Sequence, residues 1–214
     1  MKKSIIVLFI AFISINAFSQ SQGSLVVGGA FSLTMEKNKT EQGSNTTDGT
    51  SYTNFKFTPD LEYFLSESLS AGAGIGYSLE KTNWNNSNDH VEKTGMFYLA
   101  PYLKKYFAVG DRAAFFGKAQ LLFGFGKETD EQKVGGVTVS TDTKLRNFSI
   151  GITPGFKYDI SNKVALEAEV GFVGFNQEVR KWDSGNDEVK QIKNTFEFSF
   201  VPNYFGLGIR YTLK

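Results

Sequence analysis

Phe148-Ser149-Ile150-Gly151-Ile152-Thr153-Pro154-Gly155-Phe156-Lys157-Tyr158-Asp159 carries two messages in alternate residues. Phe148, Ile150, Ile152, Pro154, Phe156 and Tyr158 are bulky and apolar, whereas Ser149, Gly151, Thr153, Gly155, Lys157 and Asp159 are small or polar. A period of two belongs to a β-strand whose faces meet different surroundings. The division recurs elsewhere. Phe55, Phe57, Pro59, Leu61 and Tyr63 oppose Lys56, Thr58, Asp60 and Glu62. Leu69, Ala71, Ala73, Ile75 and Tyr77 oppose Ser70, Gly72, Gly74, Gly76 and Ser78. Phe115, Ala119, Leu121, Phe123 and Phe125 face away from Lys118, Gln120, Gly124 and Gly126.

Eight such runs can be marked, at 23–35, 52–64, 69–81, 95–107, 113–127, 144–159, 163–181 and 194–213. Short turns at 65–68, 108–112 and 160–162 alternate with long polar connections at 36–51, 82–94, 128–143 and 182–193. The arrangement predicts an all-β, eight-stranded, antiparallel up-and-down barrel with its short turns at one end. Volume then chooses which face is inside. An eight-stranded barrel is only wide enough for side chains to fill, so the Phe-, Leu- and Tyr-rich face would overpack it. That face is expected to point outward, and an apolar belt of this size is tolerable only in lipid. Pro59, Pro101 and Pro154 lie on it shortly before a short turn, where a strand accepts proline only at a bulge or a broken ladder bond. Tyr63, Phe107 and Tyr158 are expected in an aromatic girdle at the turn end, with Trp84, Trp182 and Phe175 as candidates at the other. In the last run, bulky residues switch from even (Phe196, Phe198) to odd (Leu207, Ile209), which predicts a bulge near Asn203-Tyr204.

The amino terminus is read separately. Lys2 and Lys3 precede an apolar stretch at 5–15 and the small-residue site Ala17-Phe18-Ser19. Residues 1–19 are therefore expected to be a cleaved signal peptide, and residues 20–214 the barrel domain. Lys+Arg 23 against Asp+Glu 22 makes no electrostatic case for nucleic acid, and Cys 0 excludes a disulfide framework.

Charges of both signs fall on the inward face: Lys56, Asp60, Glu62, Lys104, Lys118, Lys157, Asp159, Glu167, Glu169 and Arg210. Ionised groups in a narrow lumen are costly unless paired, so a salt-bridged network is expected. One reading makes it a plug in a structural or surface-interaction protein. The other makes it the lining of a porin-like conduit for ions or small solutes. A rim-located lipid-modifying enzyme is the remote third reading, because His90 is the only histidine and sits in a polar connection beside Asp89. No catalytic residue, metal site or cofactor is expected.

Ile152-Thr153-Pro154-Gly155-Phe156-Lys157-Tyr158 with Val164-Ala165-Leu166-Glu167-Ala168, and the ending Gly206-Leu207-Gly208-Ile209-Arg210-Tyr211-Thr212-Leu213, resemble the small outer-membrane β-barrel domain family of Gram-negative bacteria, porin-like, OmpX-type and OmpW-type. The resemblance covers nearly all of the chain after the amino-terminal segment. It implies residence in the cell outer membrane, contact with its lipid, periplasmic short turns, and recognition of the last strand by the barrel-insertion machinery. The chain departs from the pattern by closing on Leu213-Lys214 rather than on an aromatic residue. A monomer is expected, with an extracellular partner reached through the long connections. Members of the family differ in activity, so the fold transfers no function.

Overall fold

A computed structural model describes residues 22–42, 45–84, 90–185, 187–199 and 205–213. The described strands are β1 (Leu25–Gln42), β2 (Asn45–Ser66), β3 (Leu69–Trp84), β4 (His90–Ala108), β5 (Ala113–Val134), β6 (Val137–Asp159), β7 (Val164–Val170), β8 (Phe172–Ser184), β9 (Asp187–Ser199) and β10 (Phe205–Thr212). Successive strands from β1 to β7 pair antiparallel, β7 pairs β10, and β10 pairs β1, closing a ring of eight. Strands β8 and β9 continue the seventh and eighth staves upward along β6.

The seventh run, expected to be continuous, is broken at Gly171. Its φ of 77° lies in the left-handed region that favours glycine. The break shifts parity. Glu167 is opposite Lys157 below it, whereas Asn176 is opposite Ser149 above it, so odd residues face the lumen in β7 and even residues do in β8. A second parity change separates β9 from β10; the expected bulge at Asn203-Tyr204 lies outside the described residues, as does the expected signal peptide.

The long polar connections stand at one end as expected, but they continue as β-ladders. The β5–β6 ladder runs from Ala113–Tyr158 to Val134–Val137 and turns on Gly135-Gly136, with φ values of 60° and 84°. Two adjacent positive φ angles form the hairpin turn whose twist matches its strands. Both faces of these extensions meet water, so no apolar alternation marks them as strands in the sequence.

The prolines fall where ladders skip. The β2–β3 register passes from Phe57–Tyr77 to Asp60–Gly74, omitting Pro59, and β4–β5 passes from Leu99–Phe123 to Tyr102–Gln120, omitting Pro101. At Pro154, β6 stops pairing with β8 at Ile152 and begins pairing with β7 at Gly155. Each proline retains a partner on its other side, Gly29, Ala73 and Gly117 respectively. The missing N–H therefore faces the interrupted ladder.

The apolar face points outward. Phe57, Ile75, Phe97, Leu103, Phe125, Ile152, Leu207 and Ile209 are all exposed, with Ile75 at 52%. Tyr63, Phe107, Tyr158 and Tyr211 ring the short-turn end of this belt. Phe175 is on the outward face of β8, but Trp84 and Trp182 carry lumen-side parity, opposite His90 and Thr143. The two tryptophans therefore do not form the expected second girdle.

Candidate functional site: the closed end of the lumen

Strand parity delivers Glu62 from β2, Lys104 from β4, Glu167 from β7 and Arg210 from β10 to one level of the lumen near the short turns. Lys104 is the hub. Its ammonium lies 3.2 Å from Glu62 Oε2 and 2.8 Å from Glu167 Oε2, and its side chain has 0% exposure. Arg210 Nε donates to Glu167 Oε2 at 2.8 Å, while its Nη1 reaches Asp60 and lies 3.9 Å from Glu62. Arg210 thus joins β2 and β7 through carboxylates three staves apart around the ring.

Two tyrosines complete the constellation. Tyr106 is 2.8 Å from both Glu62 Oε1 and Glu167 Oε1, and Tyr102 donates to Asp60 Oδ1 at 2.8 Å. Ser70 donates to Glu62. The Lys104 ammonium also lies over the rings of Phe116, Tyr102 and Tyr106 at 4.8, 5.3 and 5.5 Å, so its remaining surroundings are aromatic faces rather than water. Tyr106 stacks with Phe64 at 5.5 Å and tilts against Phe116 at 5.6 Å. These aromatics sit on the inward face, so the lumen is less slender than its glycines suggested. The glycines make the room: a Cβ on Gly72 would meet the Tyr102 ring, and one on Gly155 the ring of Phe116.

The other expected charges are distributed around this hub. Lys118 bonds Glu169 at 2.6 Å, and Lys157 pairs with Asp159 at 3.2 Å. Lys56 faces the upper lumen, 5.5 Å from the centre of the Tyr98 ring, with no ion pair among the described residues. Tyr102, Tyr106, Phe64 and Ser70 were missed by a search for charge. The even positions of Tyr102, Tyr106 and Phe64 in the runs holding Lys104 and Glu62, and of Ser70 on the small face of the run 69–81, were the available signal.

The opposite half is open. Ser32, Thr34 and Lys56 are exposed although their parity is inward. Higher still, a 440 Å³ cavity is lined by residues that include Glu128, Asp130, Arg180 and Trp182. His90, expected in a solvated connection, instead begins β4. Its Nε2 is 3.0 Å from Asp130 and its ring stacks on Trp84 at 5.9 Å. The lumen is therefore a cup, with a filled floor and an accessible mouth.

A family model described as "Outer membrane protein beta-barrel domain" matches residues 18–180. Among solved structures, the chain is similar to the outer membrane protein OprG from Pseudomonas aeruginosa, with a TM-score of 0.52 and 10% identity over 92% of this chain and 99% of that one. Neisserial surface protein A aligns with a TM-score of 0.41 and 14% identity, over 90% and 98% of the two chains. Ail, the attachment invasion locus protein of Yersinia pestis, gives 0.34 and 13%, over 89% and 100%. At these identities the likeness concerns fold alone. No curated protein sequence matches the chain.

Proposed function

Given that this chain belongs to the outer membrane protein β-barrel domain family, we propose that it is a closed-lumen barrel whose role lies in the membrane and at the cell surface rather than in passing solutes. The observation that carries this reading is the Lys104 hub. An ammonium with no exposed side-chain surface, two carboxylates at 2.8–3.2 Å and three aromatic faces close around it support a floor that water does not thread. Buried ions held this way are costly to separate, which favours a fixed plug over a flickering gate. The extended hairpins then offer the surface for an extracellular partner, through strand edges and polar side chains. Strand β10 is the segment offered to the insertion machinery. A monomer fits this reading, because the ring of eight closes within one chain and needs no strand from a second copy. His90 has a structural part, stacked on Trp84 beside Asp130, and no catalytic step is assigned to it.

The rival reading, a conduit for ions or small solutes, draws on the open upper lumen. Planar-bilayer recording of the purified, refolded protein separates the two. No single-channel steps are expected from the wild type. Stable steps at neutral pH would refute the closed lumen and install the conduit in its place.

A further inference from the structure

Above the apolar belt, four neighbouring strands carry lysines directly abreast. Lys127 of β5 is opposite Lys144 of β6, Lys144 is opposite Lys181 of β8, and Lys181 is opposite Lys190 of β9. All four share the outward face. Directly opposed side chains have Cβ atoms about 4.5–5.5 Å apart, and like charges placed so repel. A fold has little reason to line up four cations across consecutive strands unless an anion meets them.

The protein supplies only part of that anion. Lys127 pairs with Asp142 at 2.7 Å and Lys181 with Glu188 at 2.6 Å. Lys144, Lys190 and the nearby Arg146 have no ion pair of their own among the described residues. Hydrogen bonds from Lys127 and Thr129 hold the Asp142 carboxyl below its ordinary range. Glu188 is lowered first by the hydrogen bond and charge of Lys181, then by Lys144 and Lys190. Asp142 and Glu188 are thus engaged, and even with Asp183, which stands opposite Glu188 on the same face, the five cations outnumber the three carboxylates.

The position of the row selects its occupant. On the outward face of β6 the residues read Lys144, Arg146, Phe148, Ile150 and Ile152; on β5 they read Lys127, Phe125, Phe123 and Leu121. Lysine gives way to bulky apolar residues within four positions on β6 and at the next outward position on β5. That boundary is where hydrocarbon ends and headgroups begin. We propose that the row Lys127, Lys144, Lys181 and Lys190, with Arg146 beneath it, binds phosphorylated headgroups of lipids in the outer leaflet. Several ammonium donors and a guanidinium suit the clustered oxygens of phosphate monoesters. The inference depends on placement in the membrane and is independent of whether the lumen conducts.

The test uses the full barrel refolded into vesicles of phosphatidylcholine, of phosphatidylcholine with a minor fraction of phosphatidic acid, and of phosphatidylcholine with inorganic phosphate in the buffer. Unfolding temperature is read by the heat-dependent gel shift. Phosphatidic acid should raise the wild-type midpoint, and free phosphate should not. The shift should be much reduced in K144Q/K190Q and lost in the variant with all four lysines changed to Gln, while K105Q, at the short-turn end, keeps it. K144Q/K190Q should fold in neutral vesicles at least as stably as wild type, because repulsion has been removed and no ion pair is cut, whereas the four-lysine variant also gives up the Asp142 and Glu188 pairs, so its shift is read against its own midpoint in neutral vesicles. An undiminished phosphatidic acid shift in K144Q/K190Q overturns the assignment. An equal shift from free phosphate overturns the lipid as occupant.

Discussion

Replacing Lys104 with Met should be among the most damaging single changes in the molecule. The side chain keeps roughly the same length and fills the same aromatic box, so the perturbation is mainly electrostatic. It removes the ammonium from Glu62 and Glu167, whose side chains are 1% and 2% exposed, and leaves Arg210 to face those two carboxylates and Asp60 alone. Breaking a buried pair by deleting one partner costs about 3–5 kcal/mol because the other charge stays buried and uncompensated. Equilibrium unfolding of the refolded barrel in lipid, by denaturant or by the heat-dependent gel shift, reads that loss. The companion measurement is the double variant Lys104→Met with Glu167→Gln. Removing the orphaned charge should recover on the order of 2 kcal/mol, so the double variant is more stable than Lys104→Met alone. If Lys104→Met costs less than about 1 kcal/mol, or if the two substitutions simply add, the ionic hub does not hold the floor together.

Three other expectations probe separate parts of the structure. Gly72→Ala would set a Cβ 2.7 Å from the Leu61 carbonyl oxygen, whereas Gly117→Ala points into open space; the first should cost about 1–3 kcal/mol and the second almost nothing, and equal effects in unfolding would contradict the assignment of faces. Ile75→Arg, on the outward face near the middle of the belt, should destabilise the barrel in lipid by about 2–4 kcal/mol, and a neutral result would speak against hydrocarbon at that position. The carboxyls of Asp142 and Glu188 lie below their ordinary 3.8 and 4.5, so what they add to stability is whole above those values and is lost as pH falls through the lower folded values. Hydrogen-exchange protection in the upper β5–β6 and β8–β9 hairpins, corrected for intrinsic rates, should therefore decline on acidification below about pH 4, and protection that holds or rises would remove these ion pairs as a source of order.

The chain's parity carried most of the lumen. Glu62, Lys104, Glu167 and Arg210 could be placed on the inward face from alternation alone, since a side chain two positions along a strand must point the same way. The same rule already put Tyr102 and Tyr106 beside Lys104, but a search for charge passed over them. Other features had no local signal. Trp84 and Trp182 look like interfacial anchors until the ladders extend past them and turn both toward the axis. The strand bounds of the polar hairpins were not legible in the long connections, because strands wetted on both faces lose the contrast that reveals a period of two.

Residue order by itself determined the all-β class, the outward apolar belt and the ten charges destined for the lumen, because face and volume are properties of one strand and its neighbours in sequence. Only the closed ring decided the partners: Lys104 meets Glu167 across 63 positions and Arg210 meets Asp60 across 150. It also decided that Lys56 stays without an ion pair among the described residues, and that four lysines stand shoulder to shoulder. Those pairings depend on strand register, stagger and the break at Gly171, which act between segments far apart along the chain and leave no periodic trace within any one of them.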